Sequence, residues 1–303
     1  MIGAVDIGGT KIAVGIVDEN GKVLAHTQSP TDAAGGYAKG IRRIAEMLRE
    51  ASQKAGVNIS GIGIGSTGVV YPATGQFGDV DFLPGWNGFC PVGDLERDFG
   101  VRAAIENDGD AAALGEAAWG AGRGKSRLIY VTVGTGIGGG IILDGHLYRG
   151  AKGAHPEIGH HVVDWSGPPC TCGFRGCWEV MATGPAMEAW FKNNGDADRG
   201  AATAKEICEL ARAGNEIARR AVEREALYLG LGIANLIGMF VPDMIVLGGS
   251  VMKSADLLMD GIRRLIASGC RFVPAEETQL ALASLGGNAN LIGAARVWHH
   301  RFG

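Results

Sequence analysis

Three cysteines and one histidine form the densest group of metal-binding side chains in the sequence. Cys170, Cys172 and Cys177 lie within eight residues, and His160 lies ten residues before Cys170. Three thiolates and one imidazole complete a tetrahedral zinc site with no open position, which marks a structural rather than a catalytic metal. Gly173 and Gly176, with Gly167-Pro168-Pro169, allow the tight turns such a knuckle needs. Small core cysteines or a disulfide would be the alternatives. Three cysteines this close in a polar, glycine-rich loop speak against the first, and a reducing compartment against the second. A zinc-protease reading of the segment from His155 to His161 fails, because Pro156 and Gly159 break the helix that would present two histidines four residues apart. Cys90, Cys208 and Cys270 are scattered and read as ordinary buried residues.

A second group is acidic. Glu106-Asn107-Asp108 follows the apolar segment 101–105. A carboxylate at a strand end can accept the proton of a substrate hydroxyl, and Asn107 can bind another hydroxyl. Taken alone, Asp108 reads more readily as the cap of a helix over 109–119 than as a base. Glu157 and Glu179 flank the cysteine cluster, and the metal loop would draw both toward one place.

The third group is glycine. In Asp6-Ile7-Gly8-Gly9-Thr10-Lys11, glycines let backbone N–H groups approach phosphate oxygens, while Thr10 adds a hydroxyl and Lys11 a charge. Asp6 can hold Mg²⁺ through water. Gly134-Thr135-Gly136-Ile137-Gly138-Gly139-Gly140 repeats the logic, and Gly248-Gly249 closes a third turn. The 134–140 loop is not a Walker A loop, because no Gly-Lys-Ser/Thr follows, and it does not open a helix as a dinucleotide fingerprint does, since Ile141-Ile142-Leu143 continues as strand.

These groups need elements to position them. Segments 2–7, 12–17 and 22–28 read as a meander of three strands, 38–55 as an amphipathic helix and 61–66 as a buried strand. The second half starts over, with strands at 129–133 and 140–143. A shift of 126 residues lays Asp6 on Thr132, Gly8 on Gly134 and Asp18 on Asp144, which suggests a duplicated domain. Helical patterns fill 201–239, a strand covers 244–247, and a final amphipathic helix covers 289–300. The expected division is a smaller N-terminal domain, 1–117 plus 289–303, and a larger domain, 118–288, that carries the zinc loop.

Composition narrows the function class. The chain has 303 residues, enough for one large or two ordinary domains. Its 51 glycines are more than twice the usual share of about 7%. A net charge of −4 with no basic block argues against nucleic acid or an anionic membrane as partner. No signal peptide and no 18-residue apolar span are expected, so a cytoplasmic protein is the default.

Taken together, the chain resembles the sugar kinases of the ROK family (repressors, open reading frames and kinases). The resemblance rests on the loops at 6–11 and 134–140, on Glu106-Asn107-Asp108, and above all on Glu157-Ile158-Gly159-His160 followed by Cys170-Thr171-Cys172-Gly173-Phe174-Arg175-Gly176-Cys177-Trp178-Glu179. It implies an α/β, actin/hexokinase-like (ribonuclease H-like) fold of duplicated domains around a cleft that takes ATP, Mg²⁺ and a sugar. It implies Asp108 as general base. Asn107, Asp108, Glu157, His160, Glu179 and Gly68 are then the sugar-binding residues. Asp6, Gly8, Gly9, Thr10, Lys11, Thr135, Gly136, Gly248 and Gly249 bind the nucleotide. His160, Cys170, Cys172 and Cys177 hold a structural zinc. A homo-oligomer, dimer or tetramer, is expected. Three places depart from the family pattern: Thr171 where a glycine is usual, the pair Gly109-Asp110 where Ala-Asn is frequent, and Phe82 where many glucokinases have asparagine.

The activity this implies is transfer of the ATP γ-phosphate to a hexose hydroxyl, with glucose the first choice and N-acetylmannosamine, N-acetylglucosamine, fructose or allose the alternatives. The rival class is a non-catalytic, sugar-sensing regulator. A regulator of this family carries a helix-turn-helix ahead of the first glycine loop, and with five residues before Asp6 none is expected here.

Overall fold

The structure is a computed structural model that describes residues 1–79, 82–195 and 202–303. Its first meander forms β1 (Ile2–Ile7), β2 (Lys11–Val17) and β3 (Val23–Pro30). These are followed by α1 (Tyr37–Ala55), β4 (Gly61–Ser66), β5 (Val70–Tyr71), β6 (Gln76–Phe77), α2 (Pro91–Phe99), β7 (Ala103–Asn107) and α3 (Asp108–Trp119). The second series is β8 (Leu128–Val133), β9 (Ile137–Leu143), β10 (His146–Leu147), α4 (Trp178–Met181), α5 (Gly184–Asn194), α6 (Ala204–Arg212), α7 (Glu216–Phe240), β11 (Met244–Gly248), α8 (Ala255–Gly269), β12 (Gln279–Leu282) and α9 (Ala289–Phe302). Residue 201, where the expected helical stretch began, lies outside the described residues.

The two five-stranded sheets have the orders β3-β2-β1-β4-β7 and β10-β9-β8-β11-β12. Each places its third, second, first, fourth and fifth strand side by side, which is the duplicated, mixed α/β arrangement expected. In the first sheet β1 runs antiparallel to β2 and parallel to β4, and β4 runs parallel to β7. Two strands differ from their expected bounds. Pairing with β4 carries β7 on to Asn107, so Glu106 and Asn107 sit in the strand instead of after it. β9 begins at Ile137, not at 140, so the glycine run is extended backbone. A Cβ on Gly140 would lie 2.7 Å from Ala113 Cβ, so α3 packs against that strand without room for a side chain.

The chain divides into two compact units. The first comprises Met1–Tyr130, Gly140–Pro156 and Ala283–Gly303, the second Val131–Gly139 and Glu157–Leu282. In the first unit, period two splits each strand between two faces. Val5 and Ile7, with Ile62, Ile64 and Ile105, pack on Ile44 and Leu48 of α1 and Leu95 of α2. Ile2 and Ala4 pack on Leu291, Ala294 and Ala295 of α9. The alternating glycines of β4 serve that second face. A Cβ on Gly63 would lie 1.9 Å from the Ala294 carbonyl oxygen, so α9 rests on strand backbone. The buried Glu116 of α3 accepts hydrogen bonds from the Ser284 and Leu285 amides at 3.0 and 3.1 Å, tying α3 to the segment that leads into α9. In the second unit α7 packs against α5, α6 and α8. No helix among the described residues is long and apolar enough to cross a membrane.

Candidate active site and zinc centre

In the first unit, three parallel strands end side by side. Ligands of open α/β sheets bind at such carboxyl ends. Asp6 is the last but one residue of β1 and is buried on the α9 face, where Asn290 Nδ2 donates to it at 3.5 Å. Burial, and then the neighbouring charge of Asp108, push its carboxyl up to about 7. Asp6 and Asp108 are thus electrostatic neighbours, and the charge of Lys11 offsets part of their repulsion. The turn from Gly8 to Lys11 is closed by the Gly8 N–H donating to the Lys11 carbonyl at 2.9 Å, and Thr31 Oγ1 donates to the Gly8 carbonyl at 2.6 Å. Thr10 and Lys11 are exposed at its tip.

The cap of α3 is Asn107, not Asp108. Asn107 Oδ1 accepts from the Gly109 amide at 2.8 Å, while its Nδ2 donates to the Gly68 carbonyl at 3.2 Å. Asn107 thus takes the capping position that sequence alone gave to Asp108, which sits in the first helical turn, where its Oδ1 also accepts from the Gly109 amide at 2.8 Å. Gly68 has φ +76°, a left-handed conformation that suits glycine.

Sequence reasoning missed a buried ionic cluster beside this turn. Arg149 Nη2 bonds Glu106 Oε2, and Arg149 Nη1 bonds Asp110 Oδ2 at 2.6 Å. His155 Nδ1 donates to the same Asp110 oxygen at 2.7 Å. Burial pushes Glu106 up to about 7 against the pull of Arg149. The only signal for this cluster was Asp110 itself, a charge at a position where the family often has a neutral amide.

In the second unit the other two glycine turns meet. Gly249 has φ +93°, and a Cβ there would lie 2.2 Å from the Val133 carbonyl oxygen. Ser250 Oγ would lie 3.4 Å from a Cβ on Gly134, and the Gly184 amide donates to the Gly134 carbonyl at 3.0 Å. Thr135 is exposed on this turn. Glu179, at the start of α4, accepts from the Ile137 amide at 3.0 Å. A Cβ on Gly136 would lie 2.5 Å from that same carboxylate oxygen. The glycine loop therefore holds a residue expected to bind the sugar, a link invisible across 42 residues of chain.

The metal ligands of the same unit converge. One ligand atom each from His160, Cys170, Cys172 and Cys177 lies within 4.8 Å of all the others. Cys170 Sγ is 3.4 Å from His160 Nδ1, and Cys172 Sγ is 3.4 Å from Cys177 Sγ. Tetrahedral zinc with Zn–S near 2.3 Å needs donors roughly 3.8 Å apart, so this set fits the ion. All three cysteines are free of disulfides. A Cβ on Gly176, φ +63°, would lie 1.5 Å from the Asp164 carbonyl oxygen, so only glycine completes the knuckle. Glu157 precedes His160 on a short turn in which the His160 amide donates to the Glu157 carbonyl at 3.1 Å. His161 Nδ1 is taken by the Ile158 carbonyl at 2.6 Å, so His160 alone of the pair faces the thiols.

The model of the ROK family matches residues 2–301. The chain belongs to the ROK family. A glucokinase of Thermotoga maritima is 32% identical to this ROK protein, over 99% of this chain and 97% of its own. A ROK hexokinase from Thermus thermophilus superposes with a TM-score of 0.84 and 34% identity, covering 99% of this chain and 98% of its own. A ROK glucokinase from Streptomyces griseus, solved with glucose and AMPPNP, superposes with a TM-score of 0.80 and 33% identity, over 98% of this chain and 99% of its own. Two of this ROK chain's departures have visible consequences. Exposed Thr171 leaves the ligand set complete. Phe82 lies over the first glycine turn, with its Cβ 2.9 Å from where a Cβ on Gly9 would be.

Proposed function

We propose that the chain is an ATP-dependent hexose kinase, with glucose to glucose 6-phosphate as its first reaction. Asp108 carries this reading. It stands at the carboxyl end of β7, next to Asn107 and the buried Asp6. Asn107 and Gly68 orient the acceptor hydroxyl. As its oxygen attacks the γ-phosphorus, the proton passes to Asp108 and the bond to the ADP oxygen breaks. Phosphoryl transfer of this kind depends on positioning and charge stabilisation rather than covalent participation by the protein. Backbone amides at Gly9, Gly136, Gly248 and Gly249, with Thr10, Lys11 and Thr135, take the phosphates, and Gly8, whose own N–H closes the first turn, leaves room for their approach. Asp6 is the residue that would hold Mg²⁺ through water, and the ion would supply positive charge to the phosphates. Glu157, His160 and Glu179 take sugar hydroxyls, on a loop that the zinc ligands fix. The proposed division, 1–117 plus 289–303 against 118–288, differs from the compact units, which place 118–130, 140–156 and 283–288 with the first.

The test is ADP release with ATP and a panel of hexoses and N-acetylhexosamines. Turnover with glucose at the highest kcat/KM is expected. Sugar binding without ADP release from any acceptor would overturn the reading in favour of a regulator.

A further inference from the structure

We propose that Arg149 and His155 are positioning residues that set the geometry of the base. The inference rests on the kinase reading above. Arg149 reaches both sides of the Asn107-Asp108 pair: one guanidinium nitrogen bonds Glu106 just before it, the other bonds Asp110 just after it. A planar fork holds two acceptors at a fixed spacing, which an ammonium cannot do. The turn between β7 and α3 is thereby gripped at both ends, and Asp108 lies inside the grip.

His155 completes the arrangement. Asp110 is fully buried, and its Oδ1 has no hydrogen-bond partner. All of its pairing falls on Oδ2, shared by Arg149 and by His155 Nδ1. Removing His155 leaves the carboxylate held at one point instead of two. Buried charge clusters contribute little net stability compared with apolar packing, because desolvation offsets their attraction. Their value here lies in geometry: a misplacement of about 1 Å at a reacting group can cost roughly 10²-fold in rate.

The experiment compares His155→Asn with His155→Gln, and Arg149→Lys with the parent chain. An asparagine amide nitrogen takes the place of imidazole Nδ1, whereas a glutamine carries its nitrogen one methylene further. Both are polar and compatible with a partly buried site. His155→Asn should keep kcat within about threefold, and His155→Gln and Arg149→Lys should lose about tenfold or more, the scale set by misplaced reacting groups. KM for ATP should stay within about twofold throughout, since phosphate contacts are untouched. Melting temperature and circular dichroism establish that each variant is folded at the assay temperature. Equal kcat for His155→Asn and His155→Gln, whether both full or both lost, would overturn the proposal while leaving the kinase reading intact. A parent chain that phosphorylates no sugar in the panel would overturn the kinase reading and this proposal with it.

Discussion

The zinc knuckle of the second unit and the ionic cluster of the first perform the same task with different materials. In the knuckle, four donors spread over 18 residues converge within 4.8 Å. In the ionic cluster, Glu106, Asp110, Arg149 and His155 span 50 residues; Arg149 and His155 meet Asp110 Oδ2 through bonds of 2.6 and 2.7 Å, and Arg149 also bonds Glu106. A metal gathers ligands that are already close along the chain and contributes folding free energy of its own. An ionic cluster has no such external source. It persists only because the surrounding sheet and helices hold its members in place, and each member lost leaves a buried charge behind. Local chemistry thus secures one set of candidate sugar ligands, and tertiary packing secures the candidate base.

The base offers the sharpest break. Asp108→Asn should lower kcat by ~10² or more with sugar affinity largely retained, the scale of a positioned general base. Because Asn107 caps α3, the variant should melt close to the parent chain. Near-normal kcat would reduce Asp108 to a structural role and remove the reason for the ionic cluster.

The knuckle should respond in binding rather than in rate. Cys172→Ala should lose the single zinc and raise the sugar KM by about tenfold, while KM for ATP changes little, since a closed site touches neither reacting group. Atomic absorption and sugar calorimetry read the two effects. Metal-free protein with normal sugar affinity would show that the loop holds its own shape.

A smaller effect tests the link inside the second unit. Gly136→Val places side-chain atoms where the Glu179 carboxylate stands. It should weaken sugar and ATP binding together, by severalfold each, where a pure phosphate loop would weaken ATP alone. Calorimetry with each ligand separates these outcomes.

The last effect is on stability rather than activity and concerns a buried carboxyl with no partner, a counterpoint to both clusters. Both oxygens of Glu225 in α7 are buried without a hydrogen bond, and burial holds its pKa well above the ordinary 4.5. The raised folded value means its contribution is fully present below pH 4.5 and is lost as pH rises above it. Stability should fall with a slope approaching about 1.4 kcal/mol per pH unit from this group. Glu225→Gln should therefore match the parent near pH 4 and exceed it increasingly toward neutral pH in urea titrations. A constant difference across pH would show that Glu225 is ionised in the folded chain.

The ROK fold and the chemistry-bearing residues were largely legible along the chain. Strand and helix periods depend on neighbours a few residues away, and the cysteine spacing and glycine turns are equally local. The repeated strand order appeared as an internal shift of 126 residues because duplication leaves its mark at matching positions. Tertiary structure alone decided the rest. It moved β7 forward to Asn107 through pairing with β4, and it assigned the helix cap to Asn107 instead of Asp108. It also set Glu179 against the Ile137 amide and brought Arg149 and His155 to Asp110. A buried ion pair between distant residues has no sequence period, since its partners are chosen by how sheets and helices pack. The residue types thus settled which chemistry the chain can attempt, and packing settled which side chains hold the reacting groups still.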